Sequence, residues 1–230
     1  MSTLDPDQTS DGARPGAALT IDVMFDFVCP WCLIGKRQLD RALTQLADTA
    51  PDVRPRLAWH GVQLLPDTPL AGTPYQAFYV ARLGSEAAVA ARREQVHTAA
   101  RAAGLELAFE RIRVMPNTGL AHRVAAHAAT TGTPAQHAAL IDSVFTAYFI
   151  DGKNIGDADV LVHVAERCGL AADAVRALVA SAPASEPPSP AVRLAASRGV
   201  PAFLFNGTDL ISGAVPADAL GAAMHHALGR

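Results

Sequence analysis

The hydrophobic pattern opens on Leu19-Thr20-Ile21-Asp22-Val23-Met24-Phe25, where apolar and polar positions roughly alternate as in a strand. From Leu33 the period lengthens. Leu33, Leu39, Leu43 and Leu46 recur near helical spacing with Lys36, Arg37, Asp40 and Arg41 between them, and the run stops before Pro51. Arg56 to Leu65 predicts a second strand through Leu57, Trp59 and Val62, closed by Pro66. Strand, helix and strand in this order make a βαβ unit, which implies a parallel pair and a right-handed crossover.

The pattern is then helical from Thr73 to about Leu178. Thr73-Pro74 starts one helix, and a longer one runs from Ser85 to Ala103 and stops at Gly104. Asn117-Thr118 can cap a third over Gly119 to Thr131, and further helices cover Ala135 to Phe149, Ala158 to Cys168 and Ala171 to Ala180. Ser181 to Pro190, rich in Ser, Pro and Glu, predicts a loop, and Ala191 to Ser197 a short helix. Strand signal returns at Pro201 to Phe205 and Asp209 to Ser212, on either side of the hairpin pair Asn206-Gly207. Pro216 to Leu228 closes the chain as an amphipathic helix. The order βαβ, helical block, ββα predicts an α/β fold. Residues 19–66 and 181–230 form one domain, and residues 67–180 an all-helical domain inserted into it. Residues 1–18, polar, acidic and rich in Pro and Gly, are expected to be a disordered tail.

Composition narrows the function classes. In 230 residues, of which 50% are hydrophobic, a sizeable core is available. The formal charge of −3 is spread without a long basic run, which disfavours a nucleic-acid surface. No apolar run reaches the ~18 residues of a membrane span, and the first residues lack the basic start and apolar core of a secretory signal. Three cysteines are too few for a disulfide scaffold, so a cytoplasmic location is expected, where a CxxC pair is catalytic, redox-sensing or metal-binding.

That pair is Cys29-Pro30-Trp31-Cys32, set between the first strand and the first helix. Positions i and i+3 of a helix share a face, close enough for a disulfide. Pro30 falls in the first turn, where a missing N–H costs nothing. The Cys29 thiolate faces unpaired backbone N–H groups and the positive end of the helix dipole, which lowers a thiol pKa from its ordinary ~8.5. Cys29 is therefore expected to be the exposed attacking sulfur and Cys32, one turn inside, the buried resolving sulfur. Trp31 is expected to stand exposed beside them as an apolar platform. A zinc site needs four ligands, and the only further cysteine, Cys168, has no ligand-spaced partner, so no metal is expected. Cys168 reads as a core thiol. Gly199-Val200-Pro201 opens the late strand, and Pro201 is a candidate cis residue. Beside Cys29, it would leave the Val200 backbone to pair with an extended substrate.

Several segments together carry a resemblance. They are Val28-Cys29-Pro30-Trp31-Cys32-Leu33-Ile34-Gly35-Lys36-Arg37, Asn117-Thr118 with Ala121-His122-Arg123, Phe145-Thr146-Ala147-Tyr148-Phe149, Ile155-Gly156-Asp157, Gly199-Val200-Pro201-Ala202-Phe203 and Ile211-Ser212-Gly213-Ala214. In this order the chain closely resembles the DsbA family, most of all its cytoplasmic FrnE-like branch, associated with polyketide biosynthesis and oxidative-stress handling. The resemblance implies a thioredoxin fold with a large helical insertion and thiol–disulfide exchange on a protein or small-molecule thiol or disulfide. It implies no tightly held cofactor, with glutathione a candidate co-substrate. A sister branch shares the fold: the glutathione-dependent 2-hydroxychromene-2-carboxylate isomerases and kappa-class transferases. It typically carries Ser where this chain has Cys29, so the two cysteines favour redox exchange.

The remaining candidates are weaker. Asn117, Thr118 and His122 lie on a helix start that the family folds over its active site, and Asn117 and His122 are candidates for the substrate cleft. Asp26 is a candidate proton acceptor for Cys32, although alternation equally points it to solvent. His60, at the end of the second strand, is a candidate for tuning the Cys29 thiolate, against the plainer reading of a hydrated strand-end histidine. Trp59 reads as core. Arg82, Arg92, Arg93 and Arg101 read as a solvated helix face, and His225-His226 as a solvated helix end. The Ala-rich helices offer a face for a homodimer.

Overall fold

The computed structural model describes residues 19–181 and 190–230. The expected tail over 1–18 and most of the expected loop from Ser181 to Pro190 lie outside them.

The sheet is built on β1 (Thr20–Phe25), whose Ile21, Val23, Met24 and Phe25 are all buried. β2 (Arg56–Gly61) runs parallel to it with Thr20 opposite Arg56 and Phe25 opposite Gly61. β2 is shorter than expected and ends four residues before Leu65 because Leu64 turns its backbone N–H to the Asp26 carboxylate, at 2.7 Å. On the other side β1 pairs antiparallel with β5 (Ala202–Phe205), and β5 with β6 (Asp209–Ser212), giving the order β2-β1-β5-β6. Asn206 and Gly207 both take left-handed φ, 47° and 75°, between β5 and β6. The Asn206 side chain accepts from the Thr20 N–H and donates to the Ala227 carbonyl, each at 2.9 Å, so the turn also ties down the start of β1.

Helix α1 (Pro30–Thr49) begins on Pro30 at its first position and buries Leu33 in the cluster of the dithiol turn, and Leu39, Ala42 and Leu46 on the face that packs with Phe203. Gly35 is on that buried face because the late strand comes in close. A Cβ there would stand 2.8 Å from Pro201 Cγ and 3.2 Å from Phe203 Cζ. α8 (Pro190–Ala196) lies against β1 and β5, and α9 (Ala217–Ala227) against α1. Lys36 departs from its reading as a polar helix position. It is buried and bridges Asp40, at 3.0 Å, and Asp142 of the inserted block, at 2.8 Å.

Between β2 and α8 the described chain is helical: α2 (Tyr75–Leu83), α3 (Glu86–Ala102), α4 (Gly119–Thr131), α5 (Pro134–Phe149), α6 (Ala158–Arg167) and α7 (Ala172–Ala180). The ends follow ordinary capping chemistry. Ser85 caps α3, Asp157 caps α6, and Thr133 with Gln136 makes a reciprocal capping box on α5. Thr73-Pro74 does not start the first of these helices. It pairs with Val114–Met115 as a two-residue ribbon, β3 (Thr73–Pro74) with β4 (Val114–Met115), and α2 begins at Tyr75. The largest hydrophobic cluster joins Phe25, Phe27, Val28, Leu33 and Ile34 to Leu140, Val144, Phe145 and Tyr148 of α5, so the inserted helices and the strand-to-helix turn share one core. Among the described residues no helix is long and apolar enough to cross a membrane.

Candidate active site

The dithiol sits where β1 runs into α1. Asp26 O accepts from Cys29 N at 3.1 Å and Cys29 O from Cys32 N at 3.0 Å, so the chain turns within one residue of the strand end and starts the helix at Pro30. Both cysteines are free thiols. The expected exposed attacking sulfur is corrected: Cys29 is only 6% exposed and Cys32 2%. Cys29 packs in the core cluster that includes Tyr75 and Val96 of the inserted helices, and it meets solvent at a cleft of ≈ 450 Å³ that it lines with Pro30, Trp31 and Tyr79. Trp31 is half-buried at the rim and not a free platform.

The two thiols are held in opposite protonation tendencies. The Cys29 thiol lies below its ordinary pKa, chiefly because the Cys32 thiol hydrogen-bonds to it. Burial opposes this, while the backbone N–H groups of Cys32 and Trp31 add to it. The helix terminus thus contributes as the sequence implied, but behind the neighbouring thiol. Burial first, and the neighbouring Cys29 second, push Cys32 well up. A low-pKa outer sulfur and a protonated inner one suit sequential attack and resolution.

The late strand closes one side. The Val200–Pro201 peptide bond is cis, Pro201 is buried, and the Val200 carbonyl lies 3.8 Å from Cys29 Sγ. Val200 and Pro201 are therefore brought to the dithiol, although Cys29 and Val200 are 171 positions apart in the chain.

Beneath the cysteines is a buried polar cluster. Asp26 is fully buried, and its backbone N–H points at Cys32 Sγ, 3.5 Å away. One carboxylate oxygen accepts from Leu64 N at 2.7 Å and the other meets His122 Nε2 at 3.1 Å. The His122 ring stacks on Phe27, with centroids 5.1 Å apart, and takes the edge of Phe25. Its Nδ1 is buried without a hydrogen-bond partner. Gly61 makes room for this ring, since a Cβ at Gly61 would collide with it. The solvent-facing alternative for Asp26 is thereby excluded.

His122, a candidate for the substrate cleft in the sequence, is instead a partner of Asp26 under the dithiol and is not among the residues lining the cleft. Asn117 does not line it either. It accepts from Gly119 N and Gln63 Nε2 at 2.9 and 3.0 Å and donates to Thr68 O at 2.7 Å, fastening the start of α4 to the loop after β2. His60 is not turned toward Cys29. Its Nε2 is 2.7 Å from Asp22 Oδ1, on the face of β1 opposite Val23. Trp59 is partly buried with its ring edge-on to Phe25. Cys168 is a partly buried helix-end thiol near Ser143 Oγ, at 3.4 Å.

Other residues at the site carried no sequence signal for it. Tyr75 and Tyr79 line the cleft with ring centroids 4.9 Å apart, and burial raises the pKa of both phenols. Arg82, Arg92 and Arg93 also line it; Arg82 and Arg92 are exposed, in keeping with a solvated face, while Arg93 is half-buried. Arg101 of that set lies away from the cleft, exposed and paired with Glu94 at 2.8 Å. Among the described residues there is no cluster of three or more His, Cys, Asp or Glu able to hold a metal ion.

The model of the DSBA-like thioredoxin domain matches residues 20–225, which spans the sheet, the dithiol turn and the inserted helices. The chain belongs to this family. Solved structures agree with the family fold. A probable DsbA oxidoreductase from Streptomyces coelicolor superposes with a TM-score of 0.75 at 26% identity, over 92% of this chain and 91% of that one. A 2-hydroxychromene-2-carboxylate isomerase superposes at 0.58 and 18% identity, over 90% and 95%. The cytosolic disulfide reductase DsbM from Pseudomonas aeruginosa, solved with GSH, does so at 0.53 and 17%, over 91% and 96%. The curated proteins include no significant match. In this DsbA-like chain the fold is the α/β thioredoxin fold with a helical insertion.

Proposed function

We propose that the protein is a thiol–disulfide oxidoreductase working through Cys29 and Cys32, in the cytoplasm. The observation that carries this is the asymmetry of the pair: a Cys29 thiol held low by its neighbour and open to a cleft, over a Cys32 thiol held high by burial. The Cys29 thiolate attacks one sulfur of a substrate disulfide. That S–S bond breaks, the other substrate sulfur leaves as a thiolate and takes a proton from solvent, and a mixed disulfide remains on Cys29. Cys32 then loses its proton, attacks Cys29 Sγ and releases the second substrate sulfur. Two electrons pass from the dithiol to the substrate, and the same steps in reverse oxidise a substrate dithiol. The direction of net transfer follows the potential of the pair against that of its surroundings.

Asp26 is the candidate acceptor for the Cys32 proton, and its burial against His122 supports that role. Val200 and Pro201 form the wall against which the substrate backbone lies. No bound cofactor enters the scheme. Glutathione is a candidate co-substrate, a reading supported by the GSH held by DsbM. Likeness to the 2-hydroxychromene-2-carboxylate isomerase extends only to the fold, and the Cys29–Cys32 arrangement favours exchange over glutathione-assisted isomerisation or transfer. The affiliation with the FrnE-like branch rests on the motifs of the sequence.

The test is trapping. A Cys32→Ser variant, incubated with a disulfide substrate, accumulates a mixed disulfide on Cys29 that mass spectrometry locates, while Cys29→Ser accumulates none. A Cys29→Ser enzyme that keeps full activity with glutathione bound and unconsumed would replace this reading by the isomerase one.

A further inference from the structure

Arg82 near the end of α2, and Arg92 and Arg93 on the second turn of α3, converge on the cleft beside Cys29. Arg92 carries its guanidinium over Trp31, 5.8 Å from the ring centroid, and Arg93 over Tyr75, at 5.3 Å. Their polar contacts are neutral. Arg92 donates to Gln95 Oε1 at 3.2 Å and Arg93 to Gln76 Oε1 at 2.7 Å, and Arg93 Nε is buried without a partner. Among the described residues none of the three is paired with a carboxylate, and no Asp or Glu lines the cleft. The chain as a whole carries −3, so the sign of charge is reversed locally around the one open face of Cys29. Guanidiniums stacked on aromatic rings, with donors to spare, match carboxylates.

The rim is also apolar. Leu64, in the loop after β2 and 46% exposed, and Leu83, at the end of α2 and 36% exposed, border the cleft. Both line the cleft itself, so its occupant meets open apolar surface beside the guanidiniums, the combination that marks a protein-interaction site. We propose that the cleft binds an acidic, apolar stretch of polypeptide flanking the reactive disulfide of a protein substrate, with Arg82, Arg92 and Arg93 selecting its charge. This rests on the exchange chemistry proposed above.

The experiment uses the full-length reduced protein and three synthetic disulfide-bonded peptides of equal length. Their residues next to the disulfide are Phe-Leu with Asp/Glu, with Asn/Gln, or with Lys. The rate of mixed-disulfide formation is followed at two ionic strengths, with glutathione disulfide and a neutral small disulfide in parallel. The acidic peptide is expected to react about tenfold faster than the neutral one, the low end of what charge complementarity adds to association rates, and the basic peptide slowest. The preference shrinks as the Debye length falls from ~30 Å at 0.01 M salt to ~10 Å at 0.1 M. Replacing all three arginines by Gln brings the acidic-to-neutral ratio toward one, and replacing them by Lys restores part of it.

Equal rates for the three peptides, in wild-type protein alone, overturn the inference, as does a salt-independent preference. A rate with glutathione disulfide above that with the acidic peptide overturns it in favour of a small-molecule site. Failure of every disulfide, the neutral small one included, overturns the exchange chemistry itself and is thereby told apart from failure of the charge selection.

Discussion

At the scale of single residues, the Cys32 thiol is the largest influence lowering the Cys29 pKa, which fixes the sign of a pH experiment. Wild-type Cys29 loses its proton at lower pH than an ordinary thiol, so its alkylation rate should rise through a midpoint below that of an ordinary cysteine measured alongside. Cys32, pushed up by burial, adds no reactivity in that window. A Cys32→Ala variant removes the hydrogen-bond donor and should move the midpoint upward, while Cys32→Ser keeps a hydroxyl donor and should stay nearer wild type. A midpoint unmoved by Cys32→Ala would assign the lowering to the helix terminus instead. Asp26 supplies the second residue-scale prediction. His122→Phe keeps an aromatic ring against Phe27 but strips a hydrogen bond from a fully buried carboxylate. The cost should be about 1.5–3 kcal/mol, the order for hydrogen bonds to charged groups, read from the urea midpoint at unchanged slope. Asp26→Asn should slow resolution of the mixed disulfide more than its formation, in a single-turnover experiment that separates the two.

At the scale of elements, two glycines set how closely helices approach the site. Gly35→Ala on α1 drives a methyl into Pro201 and Phe203 of the late strand, and overpacking of this kind costs about 1–3 kcal/mol. Gly61→Ala at the end of β2 displaces the His122 ring and should act through the same pair as His122→Phe. The double variant should therefore lose less stability than the sum of the two, a double-mutant cycle with clear coupling, and strict additivity would separate the two sites. These contacts also explain what the sequence did and did not disclose. The period change at Cys29 and the Asn-Gly turn are local, so β1, α1, β5 and β6 were legible to within a few residues. Asp26 was not, because it follows the last strand residue, where alternation no longer dictates a side. The arginines of α2 and α3 read as a solvated face, which holds for Arg82 and Arg92, but a helix wheel sees its own residues only and not the cleft beside them. Their place at the cleft depends on how α2 and α3 fold back over Cys29. Lys36 was misread for the same reason, its second partner Asp142 lying on α5. β3 and β4, two residues each, carry no periodicity at all.

At the scale of the molecule, the sequence divides the chain into a thioredoxin-like part and an inserted helical part, but the packing gives them one core. Phe25, Phe27 and Val28 at the dithiol turn contact the same cluster as Val144, Phe145 and Tyr148. Polar ties reinforce it: Lys36 to Asp142, Asp26 to His122, and Gln63 to Asn117. Pulling the parts asunder exposes large aromatic side chains on both and takes His122 from the buried Asp26 and Asp142 from the buried Lys36. The two parts should thus unfold together. The positions of the tryptophans allow a direct check. Trp31 and Trp59, the only two in the chain, both belong to the βαβ unit, whereas α2 to α7 supply most of the helix. Tryptophan fluorescence therefore reports the first part, and the far-ultraviolet helical signal mainly the second. In urea the two transitions should superimpose, with equal midpoints and slopes, and an excised chain joining residues 19–66 to 181–230 should not fold. If fluorescence changes at a lower or higher denaturant concentration than the helical signal, the inserted helices form a separate cooperative unit. The Asp26–His122 contact would then open and close with that unit's own equilibrium.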